Sequence, residues 1–258
     1  ALIAGGRSPE VSTINYITLS SEGGGHDFGD LTEPWNSGKG VSDGITALWW
    51  GGEWSGAYQG LMKIEFNTIA TTGNASIFGD ISDGRVYSQT ASFESPTRGF
   101  IGAGGGRSSP YYQNFIDFVI IATQGDSKDF GDLSAAGIHR SATSSPTRAV
   151  VGGGETPGKT KAIEYATLST LGNSSDFGDL VAAMRVSAGT SSPTRAVWFG
   201  GLTPSTVNTI QFVQIATTGD ASEFGDLSLV SSNCHATIAS PTRAVNINGA
   251  WSSCVMEY

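Results

Sequence analysis

One triplet, Phe-Gly-Asp, occurs five times in this chain, at residues 28–30, 78–80, 130–132, 177–179 and 224–226. From the first glycine to the last, successive copies are separated by 50, 52, 47 and 47 residues. A second phrase, Ser-Pro-Thr-Arg, has its proline at 96, 146, 193 and 241, and a Gly-Gly pair occurs at 5–6, 51–52, 104–105, 152–153 and 200–201. Three markers that share one period define an internal repeat, and this repeat constrains the fold more than any other feature.

Within each repeat, one segment alternates apolar and polar residues as a β-strand does. An isoleucine and an aromatic residue stand two apart in every copy, and period two places both on one face of a strand; the pairs are Ile14/Tyr16, Ile64/Phe66, Ile116/Phe118, Ile163/Tyr165 and Ile210/Phe212. A Gly-Asn or Gly-Asp hairpin signal follows in the last four copies. Each unit therefore predicts four strands: a (small residues), b (ending in Gly-Gly), c (Ile-x-aromatic) and d (Phe-Gly-Asp).

Four short antiparallel strands repeated at this period are typical of a β-propeller. The composition agrees, because Gly makes up 36 of 258 residues and charged residues only 14%, which favours short strands and tight turns. The small residues of strand a suit the crowded innermost position of a blade. We therefore expect an all-β fold, one propeller domain over residues 1–258 with four-stranded antiparallel blades.

Five a strands and five d strands predict five blades, with a six-bladed ring as the alternative. One blade would combine the N-terminal strands b, c and d with the C-terminal strand a, which closes the ring without an open edge. Residues 246–258 would then remain as an extra C-terminal hairpin. This hairpin could cover the closing blade, exchange with a neighbour, or form a sixth, incomplete blade.

The recurring charged residues are first interpreted as structural, because a residue needed once per blade is most often needed by the blade. We expect each arginine to bridge to an aspartate or to carbonyls at a blade junction, as a planar guanidinium with several donors can. The residues are Asp30, Asp80, Asp132, Asp179, Asp226, Arg98, Arg148, Arg195 and Arg243.

Several functional classes are disfavoured. A net charge of −9 without a Lys/Arg cluster argues against nucleic-acid binding, and no apolar run approaches the ~20 residues of a membrane span. His26, His139 and His235 lie far apart, and the acidic turns offer too few carboxylates for calcium, so neither a metal nor a cofactor is predicted. No catalytic motif is present, and we expect no enzyme. Cys234 and Cys254 could form one disulfide or remain two buried thiols.

A binding site is expected in the segments that differ between repeats, which are the b–c and d–a loops on one face of the propeller. Aromatic residues in these loops would supply rigid contact area for a sugar or a protein; they are Trp35, Trp54, Tyr58, Tyr111 and Tyr112. The alternative is that these rings pack against each other and hold the long loops in place.

The order of markers resembles kelch and galactose-oxidase-like propellers, in which a strand ending in Gly-Gly precedes an aromatic-bearing strand. The sequence pattern FGDL…SSPTRAV…GG…NTI…IATTGNA is also similar to repeats of virion proteins from tailed bacteriophages, especially those of marine cyanobacteria. The first repeat departs from it, with SDGITALWWGG in place of Ser-Pro-Thr-Arg, and the loop at 53–62 is long.

This resemblance implies a non-enzymatic structural or interaction propeller of a virion: a tail, fibre or decoration component, with a role in host-surface recognition. Its partners would be other virion proteins or copies of itself, and its location a virion or the extracellular space. The alternative is a lectin-like, glycan-binding propeller, either free or on a cell surface, with a cell-surface glycan as its partner.

Overall fold

The computed structural model describes residues 1–6, 9–18, 24–35, 38–52, 62–81, 91–105, 112–185, 188–230, 234–240, 243–250 and 253–257. These residues form β-strands, turns and bends only, and no helix among them is long and apolar enough to span a membrane. The repeats fold as a β-propeller of antiparallel blades, which confirms the predicted fold class.

Four blades are continuous four-stranded sheets, each with its strands in the order a, b, c, d. The second sheet of the chain holds β4 (Lys39–Ser42), β5 (Thr46–Trp50), β6 (Lys63–Thr68) and β7 (Ser76–Asp80). The third holds β8 (Ala91–Ser95), β9 (Arg98–Gly105), β10 (Tyr112–Ile120) and β11 (Lys128–Asp132). The fourth holds β12 (Ser141–Ser144), β13 (Arg148–Gly152), β16 (Ala162–Thr167) and β17 (Ser175–Asp179), with a small hairpin of β14 (Glu155–Thr156) and β15 (Gly158–Lys159) between b and c. The fifth holds β18 (Ala188–Ser191), β19 (Arg195–Leu202), β20 (Thr206–Gln214) and β21 (Ser222–Asp226).

The two ends of the chain supply the remaining a and d strands. The first sheet holds strands b, c and d, namely β1 (Leu2–Ala4), β2 (Thr13–Tyr16) and β3 (His26–Asp30). The last sheet holds strands a, b and c, namely β22 (Cys234–Ala239), β23 (Ala244–Ala250) and β24 (Ser253–Glu257). The described residues thus contain the five a strands and the five d strands on which the five-bladed prediction rests.

The closure of the ring differs from the expected one. Strand β22 pairs with β23, and among the described residues no pairing joins β22 to β1. Strands β23 and β24 pair with each other and extend the sheet of β22. The C-terminal strand a therefore stays with its own hairpin instead of completing the first sheet, because that hairpin offers it a local antiparallel partner.

The Phe-Gly-Asp triplet has a clear structural reason. In each of the five c–d pairs the register shifts within strand c, immediately after the repeated isoleucine, and this leaves the phenylalanine of strand d unpaired as a β-bulge. The bulged phenylalanine is buried in the first four copies, where Phe28, Phe78, Phe130 and Phe177 are between 2% and 5% exposed. The apolar core accordingly lies between adjacent sheets.

Adjacent sheets are joined by a repeated contact that we call the outer junction: strand d of one sheet against the c–d turn of the next. At the first junction Gly73 N donates to Phe28 O at 2.7 Å, Asp30 N donates to Asn74 Oδ1 at 3.0 Å, and Ala75 N donates to Asp30 O at 2.7 Å. The same three bonds recur at the next three junctions, where Asp126, Asn173 and Asp220 replace Asn74. A Cβ on Gly29 would lie 2.3 Å from Gly73 O, so only glycine permits this approach.

Hydroxyl groups join neighbouring a strands around the axis. Ser191 Oγ donates to Ser144 O at 2.7 Å, and Thr237 Oγ1 donates to Gly189 O at 2.8 Å. These strands surround a central cavity of about 590 Å³ that is lined mainly by Ala, Gly, Ser and Thr. The small residues of strand a thus occupy the innermost position, as their composition predicts.

Candidate functional site

The loop face is the side of the propeller where the d–a and b–c connections lie, and at its centre is one mouth of the cavity. Several charged residues interrupt the small residues at the start of the inner strands. Lys39 begins β4 and lines the cavity, and His139 and Arg140 come directly before β12. Strand β14 and the residue Arg185, which forms an isolated bridge with Leu202, bring further charges to this face.

Backbone contacts between neighbouring repeats hold this group. Ile138 N donates to Glu155 O at 3.1 Å, and Glu155 N donates to Ile138 O at 2.9 Å, so the d–a segment lies against the start of the β14–β15 hairpin. The next residue, His139, has φ 57°, a left-handed conformation in which His is several-fold enriched among non-glycine residues. The backbone therefore fixes where the His139 side chain starts.

Glu155 and Arg185 form an ion pair within this group. Arg185 Nε donates to Glu155 Oε2, and this bond lowers the pKa of the Glu155 carboxyl. Lys159 Nζ donates to Thr203 O in the following b–c loop. Burial lowers the pKa of Lys39. The loop face thus carries positive groups and one carboxylate close to each other.

His139 is neutral at physiological pH. Burial, together with the positive charge of Arg185, lowers its pKa to about 4 despite the opposing effect of Glu155. A neutral imidazole at the centre of this face can donate one hydrogen bond and accept another. We call Lys39, His139, Glu155, Lys159 and Arg185 the mouth cluster; it can bind a polar partner through fixed charges and hydrogen bonds.

A buried ion pair supports the cluster from below. Arg140 Nη1 donates to Glu164 Oε1 at 2.9 Å, and both side chains are almost fully buried. Glu164 also accepts a bond from Ser134 N at 2.8 Å, and these bonds keep the pKa of Glu164 low although burial opposes this. Removing one member of such a pair leaves an uncompensated buried charge, so the pair fixes the d–a segment that carries His139.

At Glu94, which lines the cavity, burial outweighs hydrogen bonding in its effect on the pKa. The Glu94 carboxylate accepts a bond from Ser42 N at 2.9 Å, but burial raises the pKa of Glu94. The rest of the cavity lining is mostly Ala, Gly, Ser and Thr, and its other charged residues are Lys39 and Arg140.

Of the aromatic residues predicted for this face, the structure describes Trp35 and Tyr112. Trp35 is buried, 3% exposed, in the core between the first two sheets, and a Cβ on Gly38 would overlap its ring. Its edge also lines the cavity. Tyr112 is 37% exposed at the start of β10, whereas Trp54, Tyr58 and Tyr111 lie outside the described residues. Tyr112 is thus the exposed aromatic of the predicted set in the described part of the chain.

The recurring arginines lie at the start of strand b, away from the recurring aspartates. Arg148 Nη1 donates to Ile215 O at 2.9 Å and to Ala216 O at 3.1 Å in the next sheet, and Arg98 Nη1 donates to Leu168 O at 3.4 Å. Arg98, Arg148 and Arg195 each place the guanidinium over an aromatic ring of strand c, at 4.4–5.1 Å from the centroid. Arg243 is exposed.

The recurring aspartates Asp30, Asp80, Asp132 and Asp179 contribute their backbone to the outer junctions. Two of their carboxylates contact neighbours in or beside their own sheet: Ser12 Oγ donates to Asp30 Oδ1 at 3.0 Å, and Lys161 forms an ion pair with Asp179 at 2.8 Å. Asp226 is exposed on β21. Carbonyl groups, rather than these aspartates, accept the inter-sheet bonds of Arg98 and Arg148.

The mouth cluster was missed at the sequence level because its members come from non-equivalent repeat positions. His139 aligns with Val186, and Glu155 aligns with Leu202. The available signal was the presence of charged residues at the start of strands otherwise built from Ala, Gly, Ser and Thr.

The sequence matches no protein-family model and no curated protein. Among solved structures, that of YjhT superimposes with a TM-score of 0.77 over 99% of this chain and 89% of that chain, at 10% sequence identity. By fold, the chain is a β-propeller. At this identity the likeness concerns the fold alone, so the function of this chain rests on its own surfaces.

Proposed function

We propose that the chain is a non-enzymatic interaction propeller that binds a macromolecular partner through its loop face. The observation that supports this is the contrast between repeated and unrepeated positions. The outer junctions and hydroxyl contacts recur from sheet to sheet, whereas the mouth cluster occurs once, on loops held by that frame. Binding residues are commonly carried by loops on a rigid scaffold.

Within this role, we propose that the chain is a structural component of a bacteriophage virion, where it contributes to assembly or host-surface recognition. This proposal is supported by the resemblance of the repeat sequence to repeats in virion proteins of tailed bacteriophages. A frame whose first five sheets are joined by four outer junctions suits a protein that must keep its shape while neighbouring subunits contact it.

Purified particles test the virion assignment. Antibodies against the chain, applied to density-purified particles of the bacteriophage that carries the coding sequence, should label a fixed position, and mass spectrometry should give a constant copy number per particle. If the chain is found only in the soluble fraction of the lysate, the virion assignment is wrong.

A second candidate is glycan binding, favoured by the exposed Tyr112, which directly follows a stretch of sequence, 106–111, that the other repeats do not share. A glycan array with the native chain and with the Tyr112→Ala and Trp54→Ala variants tests it. Saturable binding that falls at least tenfold in either variant supports a lectin-like activity. Binding that neither substitution alters would exclude these rings as the site.

A further inference from the structure

In three sheets, an arginine at the start of strand b covers the aromatic ring of strand c. The guanidinium carbons of Arg98, Arg148 and Arg195 lie 4.9, 4.4 and 5.1 Å from the centroids of these rings. In the same sheets the covered ring also meets the phenylalanine of strand d edge to face, with centroids 5.9–6.2 Å apart. The repeat therefore builds a cation site at this position and fills it with its own arginine.

The second sheet has the ring without the arginine. Phe66 meets the phenylalanine of its own strand d edge to face at 6.0 Å, so its ring is oriented as in the other sheets. Thr46 pairs with Thr68 in the register in which Arg148 pairs with Thr167, so Thr46 occupies the arginine position. Phe66 is half-buried, and among the described residues no cation lies over its ring.

The carbonyl groups that receive the guanidinium elsewhere are also present here. Arg148 Nη1 donates to Ile215 O and Ala216 O of the following sheet, at 2.9 and 3.1 Å. The equivalent carbonyls beside the second sheet are those of Ile121 and Ala122, which directly follow β10 of the third sheet. Within the described part of the chain, no donor bonds to either of them. The aromatic face and both acceptors of the cation site are therefore retained.

The turn that carries Thr46 is also more acidic than its counterparts. Asp43 Oδ1 accepts bonds from Ile45 N at 2.9 Å and from Thr46 N at 2.7 Å. In the fourth sheet Ser145 Oγ has this role and accepts from Arg148 N at 3.2 Å. The second sheet thus has a carboxylate in place of a neutral hydroxyl and a neutral threonine in place of a positive arginine. Both differences make the surroundings of the ring more favourable for a cation.

A ligand for this position needs a positive charge, a flat face for the ring and donors for two carbonyl groups. A guanidinium meets all three needs, whereas an ammonium is a compact point charge. We propose that this ring, these two carbonyl groups and the Asp43 carboxylate form a binding site for a guanidinium group, as an arginine side chain carries it. We call it the Phe66 site.

The Phe66 site lies beside an a–b turn, on the face opposite the loop face. Strand b begins at this face, as Thr46 and Arg148 do at the starts of β5 and β13, and it ends at the loop face. The site is therefore separate from the mouth cluster, and the proposal does not depend on the function proposed for that cluster.

N-acetylarginine amide is the probe, and the ring-proton resonances of Phe66 are the signal. Titration should shift these resonances saturably, with a dissociation constant in the millimolar range, because one ring contact and a few hydrogen bonds are gained. N-acetylcitrulline amide has the same shape without the charge, and N-acetyllysine amide has the charge without the planar fork; each should bind at least roughly fivefold more weakly. A peptide with one arginine that binds more tightly than the probe would assign the guanidinium to a polypeptide, and equal binding would assign it to a free small molecule.

Variants of the chain give the matched controls. Thr46→Arg supplies the side chain that the other sheets have, so it should fill the site from within and abolish binding of the probe. Phe66→Leu keeps an apolar side chain without the ring and should also lose binding. Arg148→Thr should create a second site of the same kind, so that the probe also shifts the resonances of Tyr165.

Three results would overturn the proposal. The first is the absence of a saturable shift at Phe66 in the native chain, even if Arg148→Thr binds the probe at Tyr165. The second is equal binding of the citrulline compound, since the charge would then have no role. The third is binding at Phe66 that persists in the folded Thr46→Arg variant.

Discussion

Strands β17 and β21 carry the same triplet in the same position of their sheets, yet their surroundings are opposite. Phe177 is 2% exposed and Phe224 is 60% exposed. Within its own sheet each ring has an equivalent partner, since Phe177 meets Tyr165 and Phe224 meets Phe212 edge to face at 6.1 and 5.9 Å. The difference is the neighbour: the turn at Gly219 covers β17, and no described turn covers β21.

Each blade thus contributes the phenylalanine of strand d, and the c–d turn of the following blade buries it. Each outer junction joins only consecutive sheets, so stability should be distributed as nearest-neighbour terms, as in other repeat proteins. Identical substitutions at β17 and β21 should therefore have different effects, and the size of the difference measures the junction.

The largest difference is expected for the phenylalanines. Phe177→Ala should lower the free energy of unfolding by about 3–5 kcal/mol, because a buried aromatic leaves a cavity. Phe224→Ala should cost less than about 1 kcal/mol, as is usual for exposed positions. Urea unfolding of both variants gives the comparison, and equal losses would show that β21 is covered in solution.

A smaller change in stability is expected at His139, a residue that the other repeats do not share. Because its folded pKa, about 4, lies below the ordinary value of 6.5, the folded state binds fewer protons than the unfolded chain in this range. Stability should therefore rise with pH between 4 and 6.5 and be lost on acidification through the same window.

His139→Asn isolates this contribution, since Asn tolerates the left-handed backbone and does not titrate. The variant should have a flatter stability profile between pH 4 and 6.5 than the native chain, measured by denaturant unfolding at closely spaced pH values. Parallel profiles would show that other groups carry the acid sensitivity.

The sequence predicts the frame well because the frame is what repeats. The pairs Ile64/Phe66 and Ile163/Tyr165 locate strand c, and the triplets locate strand d, since each residue has the same role in every copy. The order of strands in each sheet follows directly from these markers.

The site and the ends are harder to predict, for three physical reasons. The pairing of Arg185 with Glu155 joins different repeats at non-equivalent positions, so no periodicity reveals it. Trp35, in a segment rich in Gly, Asn and Ser, has the composition of an exposed loop, but it is buried between two sheets that meet only in the folded chain. Ring closure depends on whether β22 prefers β1 or β23, two partners that sequence markers do not distinguish.

Substituting the glycines of β17 and β21 distinguishes the cost of backbone strain from the cost of a steric contact. Gly178 and Gly225 have nearly the same φ, 149° and 157°, so Gly→Ala introduces a similar backbone cost at both positions. Only at Gly178 would the new methyl group meet the backbone of Gly219. Gly178→Ala should be less stable than Gly225→Ala by about 2 kcal/mol, a typical cost of overpacking. Equal stability in denaturant unfolding would mean that the junction yields without cost.

The smallest expected difference concerns the arginines that begin strand b. Arg148 and Arg195 both stack on a ring of their own sheet, but only Arg148 donates to carbonyls of the following sheet among the bonds of the described residues. Arg148→Ala should therefore cost about 1 kcal/mol more than Arg195→Ala, because a bond from a charged donor is lost. Lysine at the same positions keeps the charge and loses the planar fork, so Arg148→Lys should recover only part of the loss. If Arg195→Ala were the more destabilising substitution, the arginine would act within its own sheet, and the inter-sheet carbonyl bonds would contribute little.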